Sequence, residues 1–389
     1  MENGSEEFKI KSSHLKGKNV LLGITGSIGA VESVKLVHEL RRHMATVNVV
    51  MTPAATEIIS PDSLEYASGN SVVTKLTGKI EHISLVRNSD ILLIAPATAN
   101  SISKMALGID DTPVTSLFTN SLGHIPVVVV PVMHENMYSN PIIKGNIERL
   151  RHFGVSIMDV KIDEGKAKIP DPESIAALVI RTLGGKFKGK KICIIGGSGF
   201  EKIDDVRIIT NRSTGETAVE LAREAYLMGA DLDLYFGSTS VQIPSYLNYR
   251  QFTTVESLLD FKKDIARNEI VLVPAALSDF SPNGRRGKLP SDKKMNLELY
   301  PTPKFLRELR KIYRGKLVGF KAEYGISRKL LESRAKERLN DYGLDAVIAN
   351  DLRNVKKGYT KVLIITGQGT EESFGEKNEV ARDILNKVC

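Results

Sequence analysis

Short apolar runs alternate with amphipathic stretches along most of the chain. KNVLLGI at 18–24, DILLIAPAT at 90–98 and IPVVVVPVM at 125–133 are rich in Ile, Leu and Val, as is typical of buried strands. Apolar residues recur at helical spacing in VESVKLVHELRRH at 31–43 and ESIAALVIRTL at 173–183. Because strands and helices alternate, the pattern predicts an α/β fold built on a parallel, doubly wound sheet.

The pattern breaks in the Gly- and Lys-rich segment at 184–191 and then begins again. KICIIGGSGF at 191–200 predicts a strand that ends in a Gly-rich turn, and EIVLVPAALSDF at 269–280 predicts another strand. A second doubly wound, Rossmann-like domain is therefore expected after the break. We predict a polar N-terminal extension at 1–16, one domain at 17–186 and a second domain at 187–389.

Composition narrows the classes of function. The 389 residues are 42% hydrophobic and carry a net charge of +8, but Lys and Arg are spread among acidic residues, which favours small anionic ligands over nucleic acid. The two cysteines, Cys193 and Cys389, predict neither a disulfide framework nor a zinc site, which fits a cytoplasmic location. The polar first 16 residues do not resemble a signal peptide, and no apolar run is long enough to predict a membrane span.

Polar loops at predicted strand ends are the first candidates for chemistry. The turn at 25–29, TGSIG, offers hydroxyls and backbone N–H groups to a phosphate, although it matches neither a dinucleotide fingerprint nor a P-loop, and a turn without a ligand is the alternative. His82 could transfer a proton near neutral pH, although a lone His is more often structural. Because ligands bind at the carboxyl ends of parallel strands, we expect His82, the turn at 98–101 and the cluster at 133–137 to line one pocket.

These segments together resemble a known family. GITGSIGA, MTPAATEII, EHISL, DILLIAPATANSISKMALGIDD and PVMHENMYSNP are similar to the homo-oligomeric flavin-containing cysteine decarboxylases. The resemblance implies that His82 is the catalytic base. It implies an FMN site formed by Gly26, Ser27, Thr52, Pro96, Thr98, Asn100 and Ser101. It also implies a substrate site formed by Met133, His134, Asn136, Met137 and Lys161.

The chain departs from this family at three positions. His134 stands where the family has Asn, and Tyr138 where it has Trp. Lys161 stands where bacterial members carry, on a flap, the Cys that protonates the enethiol intermediate. Either another acid acts, with Lys161, Lys166 and Lys168 as candidates, or this half-reaction differs.

The second half carries its own polar loops. In the loop at 197–215, the acidic and basic side chains between Asp204 and Arg212 could position phosphates and an acyl group, with a solvated loop as the alternative. Lys288 lies in GRRGKLPSDKK at 284–294, where a mobile lysine could stabilise charge that develops on a triphosphate. The alternative there is a flexible surface tract.

IDDVRIITNRSTG, PAALSDF, GKLPSDK, LVGFKAE and AND resemble the phosphopantothenate–cysteine ligase module. Its position after a flavin decarboxylase module is the arrangement of the bifunctional coenzyme A biosynthesis proteins. The resemblance implies catalytic roles for Asn211 and Lys288 and a substrate contact for Arg207. It implies a CTP site formed by Val273, Pro274, Ala275, Ala276, Asp279, Lys288, Pro303, Lys304, Phe305, Leu306, Phe320, Arg338 and Tyr342, the last two at positions where the family has Lys.

The resemblance implies two successive reactions. CTP-dependent ligation of 4′-phosphopantothenate with L-cysteine is followed by FMN-dependent decarboxylation to 4′-phosphopantetheine, with Mg²⁺ on the nucleotide phosphates and no assigned metal ligand. It also implies a homo-oligomer in which trimeric flavin domains are joined by ligase-domain dimers, up to a dodecamer. The alternatives are a ligase with an impaired or atypical flavin domain, a flavoenzyme of the same fold with another substrate, and a non-enzymatic regulatory subunit.

Overall fold

The computed structural model describes residues 9–158, 162–163, 166–167, 169–284, 287–290 and 294–389. It divides into two compact units, Met1–Gly184 and Gly185–Cys389. The strands of the first unit are β1 (Asn19–Ile24), β2 (Thr46–Met51), β3 (Ile91–Ala97), β4 (Val127–Pro131), β5 (Met133–His134), β6 (Ser156–Ile157), β7 (Ile162–Asp163) and β8 (Lys166–Ala167). Its helices are α1 (Ser33–Arg42), α2 (Pro53–Thr56), α3 (Pro61–Ser68), α4 (Glu81–Arg87), α5 (Ala99–Leu107), α6 (Pro113–Ser121), α7 (Glu135–Tyr138), α8 (Pro141–His152) and α9 (Pro172–Thr182), with a short 3₁₀ helix at Ile28–Glu32.

The main sheet of the first unit is parallel, in the order β2-β1-β3-β4-β6. Every residue of β3 and β4 is buried, because helices cover both faces of the sheet. Among the parallel strands this is the order 2-1-3-4-5, in which the chain changes direction across the sheet between β1 and β3. The predicted parallel, doubly wound sheet is confirmed.

The segment before β1 packs against α1. Leu15 is fully buried, and Lys11 Nζ lies 2.6 Å from Glu39 Oε1. Ser12 Oγ and His43 Nδ1 are 2.7 Å apart. Residues 9–16 therefore pack against the first unit, although their sequence is mostly polar.

The strands of the second unit are β9 (Lys191–Gly196), β10 (Phe200–Lys202), β11 (Ile208–Thr210), β12 (Asp231–Phe236), β13 (Arg250–Gln251), β14 (Ile270–Val273), β15 (Phe280–Pro282), β16 (Leu299–Pro301), β17 (Lys316–Glu323), β18 (Ala346–Asp351), β19 (Tyr359–Thr366) and β20 (Gly369–Glu376). Its helices are α10 (Glu216–Leu227), α11 (Val255–Asp260), α12 (Lys262–Ile265), α13 (Phe305–Ile312), α14 (Arg328–Asp341) and α15 (Lys377–Val388), with a 3₁₀ turn at Leu352–Asn354.

The large sheet of this unit has the order β13-β12-β9-β14-β17-β18-β19-β20. Its first six strands are parallel and run in the order 3-2-1-4-5-6 of a Rossmann sheet, which confirms the predicted fold class. The sequence patterns did not predict the last two strands. β19 and β20 form an antiparallel hairpin that extends the sheet beyond β18.

Candidate active sites

A cavity of about 880 Å³ opens in the first unit beyond the carboxyl ends of β1, β3 and β4. It therefore lies where the strand order reverses, which is where ligands bind in open α/β sheets. Its lining includes the predicted residues Gly26, Ser27, Thr98, Asn100, Met133, His134 and Met137. Four other predicted residues do not line the cavity: Thr52, which follows β2, Pro96 in β3, Ser101 in α5 and Asn136 in α7.

One wall of this cavity is a cradle of hydroxyls at helix N-termini. The side chain of Ser27 caps the 3₁₀ helix, and that of Thr98 caps α5 by accepting a hydrogen bond from Ser101 N–H at 3.2 Å. Thr25 Oγ1 donates to Pro96 O at 2.8 Å and accepts from Thr98 N–H at 3.0 Å, which ties the two loops together. The N-terminal ends of helices favour anions, so this wall suits a phosphate.

Gly26 brings the backbone of the first loop close to α2. A Cβ atom at this position would lie 2.6 Å from Ala54 Cβ, which is too close for any side chain. Thr52 caps α2 through its hydroxyl, which accepts a hydrogen bond from Ala55 N–H at 3.3 Å. Thr52 therefore fixes the helix against which Gly26 packs.

The opposite wall carries the predicted substrate residues. Met133 and His134 form β5, which pairs antiparallel with the backbone of β8. Asn136 is exposed on the short helix α7, outside the cavity. Lys161 and Lys168 lie outside the described residues, and the structure describes only the backbone of Lys166.

His82 lies on α4 and does not line the cavity of its own chain. Its Nδ1 atom is buried and has no hydrogen-bond partner among the described residues, while its carbonyl oxygen accepts a hydrogen bond from Asn120 Nδ2 at 3.1 Å. The residue before α4, Ile80, has a φ of 49°, which is unfavourable for a β-branched residue. Within one chain, His82, the expected base, is thus not among the residues that line the cavity.

The second unit has a cavity of about 360 Å³ at the carboxyl ends of its parallel strands. The segments that line it follow β14, lie in β17 and β18, and begin α10 and α13. The structure brings together here all of the predicted nucleotide contacts except Lys288: Val273, Pro274, Ala275, Ala276, Asp279, Pro303, Lys304, Phe305, Leu306, Phe320, Arg338 and Tyr342.

Backbone hydrogen bonds fix the wall that follows β14. Ala275 N–H donates to Ile195 O at 3.0 Å, and Ala276 N–H donates to Gly197 O at 2.9 Å. Ser278, on the same wall, is buried, and its Oγ has no hydrogen-bond partner among the described residues. Because a buried hydroxyl without a partner is costly, this atom fits a site that is completed by a polar ligand.

Three predicted ligase residues do not line this cavity. Arg207 and Asn211 lie on the loop at 197–215, and Lys288 lies in the segment at 287–290. Asn211 Nδ2 donates to Leu277 O at 3.0 Å and thereby attaches its loop to the rim. Arg207 pairs with Asp204 at 3.2 Å, and the backbone N–H of Leu289 donates to the same carboxylate at 3.1 Å. Lys288, which precedes Leu289, is exposed.

The neighbouring Asp205 holds the other side of the Lys288 segment. Gly287 N–H donates to Asp205 Oδ2 at 2.7 Å. Burial acts to raise the pKa of Asp204, but hydrogen bonds from three backbone N–H groups and the Arg207 charge hold that pKa below its usual range. The two carboxylates are therefore anchors for the segment that carries Lys288.

Comparison with known proteins identifies the family. Residues 9–184 match the Flavoprotein family, and residues 187–389 match the DNA/pantothenate metabolism flavoprotein C-terminal domain. The chain is 41% identical over 369 residues to the coenzyme A biosynthesis bifunctional protein CoaBC of Thermococcus kodakarensis, covering 92% of this chain and 91% of that protein. It is 40% identical over 385 residues to the protein of the same name from Methanocaldococcus jannaschii, covering 97% and 95%. The chain belongs to the CoaBC family.

Among solved structures, the chain is similar to the C-terminal domain of a coenzyme A biosynthesis bifunctional protein CoaBC. The identity is 28% and the TM-score 0.43, and the match covers 52% of this chain and 95% of that one. Membership of the CoaBC family confirms the resemblance drawn from the sequence and the prediction of a bifunctional coenzyme A biosynthesis enzyme. The match to the Flavoprotein family supports a flavin cofactor in the first unit.

Sequence patterns missed one charged pair in the second cavity. Lys377, at the start of α15, is buried and pairs with Glu216 at the start of α10. Glu216 also accepts a hydrogen bond from Gly358 N–H at 3.2 Å. The two partners are 161 positions apart, so no local pattern could have indicated the pair.

No cluster of three His, Cys, Asp or Glu side chains in the described part of the chain could hold a metal ion. None of the helices formed by the described residues is long and apolar enough to cross a membrane.

Proposed function

We propose that the first unit binds FMN and decarboxylates 4′-phosphopantothenoyl-cysteine. The carrying observation is the position of the 880 Å³ cavity at the change of strand direction in a 2-1-3-4-5 sheet, because open α/β sheets bind ligands at that point and flavodoxin binds FMN there. The cradle formed by Ser27 and Thr98 suits the FMN phosphate, and Gly26 lets the backbone approach it. Bound FMN would take two electrons from the cysteinyl side chain, which makes loss of CO₂ easy, and would return them to the decarboxylated product, so that the overall reaction is redox-neutral.

The protein side chains have the remaining tasks in this reaction. Met133 and Met137 offer apolar surface to the pantothenoyl chain, and the imidazole of His134 offers a hydrogen bond to the cysteinyl carboxylate. His82 removes a proton from the substrate. Since His82 does not line the cavity of its own chain, we propose that a second copy supplies it and that the flavin units assemble as trimers, joined by ligase-unit dimers.

We propose that the second unit ligates 4′-phosphopantothenate to L-cysteine with CTP. The carrying observation is that all the predicted nucleotide contacts except Lys288 line one cavity. The substrate carboxylate attacks the α-phosphorus, and pyrophosphate leaves. The cysteine amine then attacks the acyl carbon, forms the amide and releases CMP.

Two residues have specific roles in the ligation. Lys288 reaches the triphosphate from its tethered segment and stabilises the negative charge that develops as pyrophosphate leaves. Asn211, at the rim, positions the acyl-cytidylate for the amine. Mg²⁺ is bound by the nucleotide phosphates.

The test is incubation of the full chain with 4′-phosphopantothenate, L-cysteine, Mg²⁺ and either CTP or ATP, followed by mass analysis. We expect 4′-phosphopantetheine with CTP. His82→Asn should accumulate 4′-phosphopantothenoyl-cysteine, Asn211→Asp should accumulate the acyl-cytidylate, and Lys288→Gln should leave 4′-phosphopantothenate unused. Failure to join phosphopantothenate and cysteine would refute the ligase assignment, and CO₂ release by His82→Asn would refute the base assignment.

A further inference from the structure

A second, smaller cavity adjoins the proposed nucleotide site. It has a volume of about 270 Å³ and shares Lys321, Arg338 and Tyr342 with the larger cavity. Arg307 lies in the first turn of α13, three residues after Lys304. It lines the smaller cavity but not the larger one. A ligand that fills the larger cavity can therefore extend past Tyr342 towards Arg307.

Two guanidinium groups lie over the Tyr342 ring at this boundary. Arg307 Cζ is 4.7 Å from the ring centroid, and Arg338 Cζ is 5.0 Å from it. Both distances are within the range of a cation–π contact. The ring therefore holds two positive charges close together without neutralising either of them.

Three other charged side chains of the smaller cavity pair with one another. Glu323 lies 3.2 Å from Lys321 Nζ and 3.1 Å from Arg334. In the part of the chain that the structure describes, neither Arg307 nor Arg338 forms an ion pair. The Nε of Arg338 is buried and has no hydrogen-bond partner there, and the two other carboxylates of the cavity, on Glu337 and Asp341, belong to exposed residues.

We propose that Arg307 and Arg338 bind the terminal phosphates of the nucleotide and the pyrophosphate that leaves. Guanidinium groups form paired hydrogen bonds with phosphate oxygens. Stacking on the Tyr342 ring orients both guanidinium groups before the nucleotide binds. Arg307 thereby supplies the positive charge that Tyr342 lacks. The inference rests on the proposed ligase function and adds Arg307 as a residue that binds the nucleotide.

The test compares Arg307→Ala with the unaltered full chain in steady-state ligation. We expect the KM for CTP to rise about tenfold, the cost of one charge-assisted hydrogen bond, while kcat changes less than about twofold. Inhibition by inorganic pyrophosphate should weaken by a similar factor. Arg307→Lys, which keeps the positive charge, should restore part of the loss.

Arg314→Ala is the matched control, because Arg314 lies outside both cavities and donates only to the Arg310 carbonyl, at 3.1 Å, among the described residues. Calorimetric titration with inorganic pyrophosphate gives a second readout that needs no ligation. Equal pyrophosphate affinity in Arg307→Ala and the unaltered chain would overturn the inference. If Arg307→Ala weakens pyrophosphate binding but the unaltered chain fails to ligate, the inference stands and the proposed function fails.

Discussion

The close approach of Gly26 to α2 makes the flavin site sensitive to one methyl group. In Gly26→Ala, the new Cβ would lie 2.6 Å from Ala54 Cβ and 3.1 Å from the Ala54 carbonyl carbon. Neither atom belongs to a flexible side chain, so the loop or α2 must move. Overpacking of this kind costs about 1–3 kcal/mol. If the flavin cradle absorbs that cost, FMN affinity falls by about 5- to 150-fold.

The assay is the ratio of flavin to protein after purification, followed by titration of the apoprotein with FMN. Gly145→Ala is the control, because nothing lies within 4 Å of the added Cβ at this helical position. Ligation by the second unit reports whether the rest of the chain is folded. Unchanged FMN affinity and thermal stability in Gly26→Ala would refute the argument from packing.

Two further predictions concern hydrogen-bonded carboxylates. Asp205→Ala removes the acceptor for Gly287 N–H and so loosens the segment that carries Lys288. In an assay without cysteine, it should slow pyrophosphate release by about fivefold. Asp205→Asn keeps an acceptor oxygen and should not slow it. Burial acts to raise the pKa of Glu39, but hydrogen bonds with His43 and Lys11 prevail and lower it from 4.5 to about 2. This stabilisation is complete above the unfolded-state pKa and is lost as the pH falls through the folded-state pKa, by about 3 kcal/mol in all. Urea unfolding followed by circular dichroism should show that the free energy of unfolding falls as the pH is lowered, and that it falls less in Glu39→Gln. Equal pH dependence in the two proteins would contradict this assignment.

Much of the fold was predictable because its parallel strands are apolar on both faces. The runs at 91–97, 127–131 and 270–273 form buried central strands, and the polar residues that follow them line cavities. Polar residues at strand ends were therefore sufficient to predict the first cavity, whereas the residues of the second cavity were predicted from the resemblance to the ligase module. The hairpin of β19 and β20 was missed although Gly367 and Gly369 mark its turn.

Long-range features could not be predicted in the same way. His82 was expected to line the same pocket as the other candidates, yet it lies on α4 and is not among the residues that line the cavity of its own chain. Arg307 shows no distinctive local pattern, and its proposed role depends on the position of Tyr342 in another helix. Such placements follow from tertiary packing, which spacing along the chain does not record.

The buried contacts of residues 9–16 affect how this protein can be shortened. A truncation that begins at residue 17, where the apolar pattern starts, would remove the Leu15 side chain from the first unit and Lys11 from the buried Glu39 carboxylate. Such a variant would lose stability although every proposed catalytic residue was still present. Loss of flavin from a shortened protein would then report a damaged scaffold and would say little about the cofactor site.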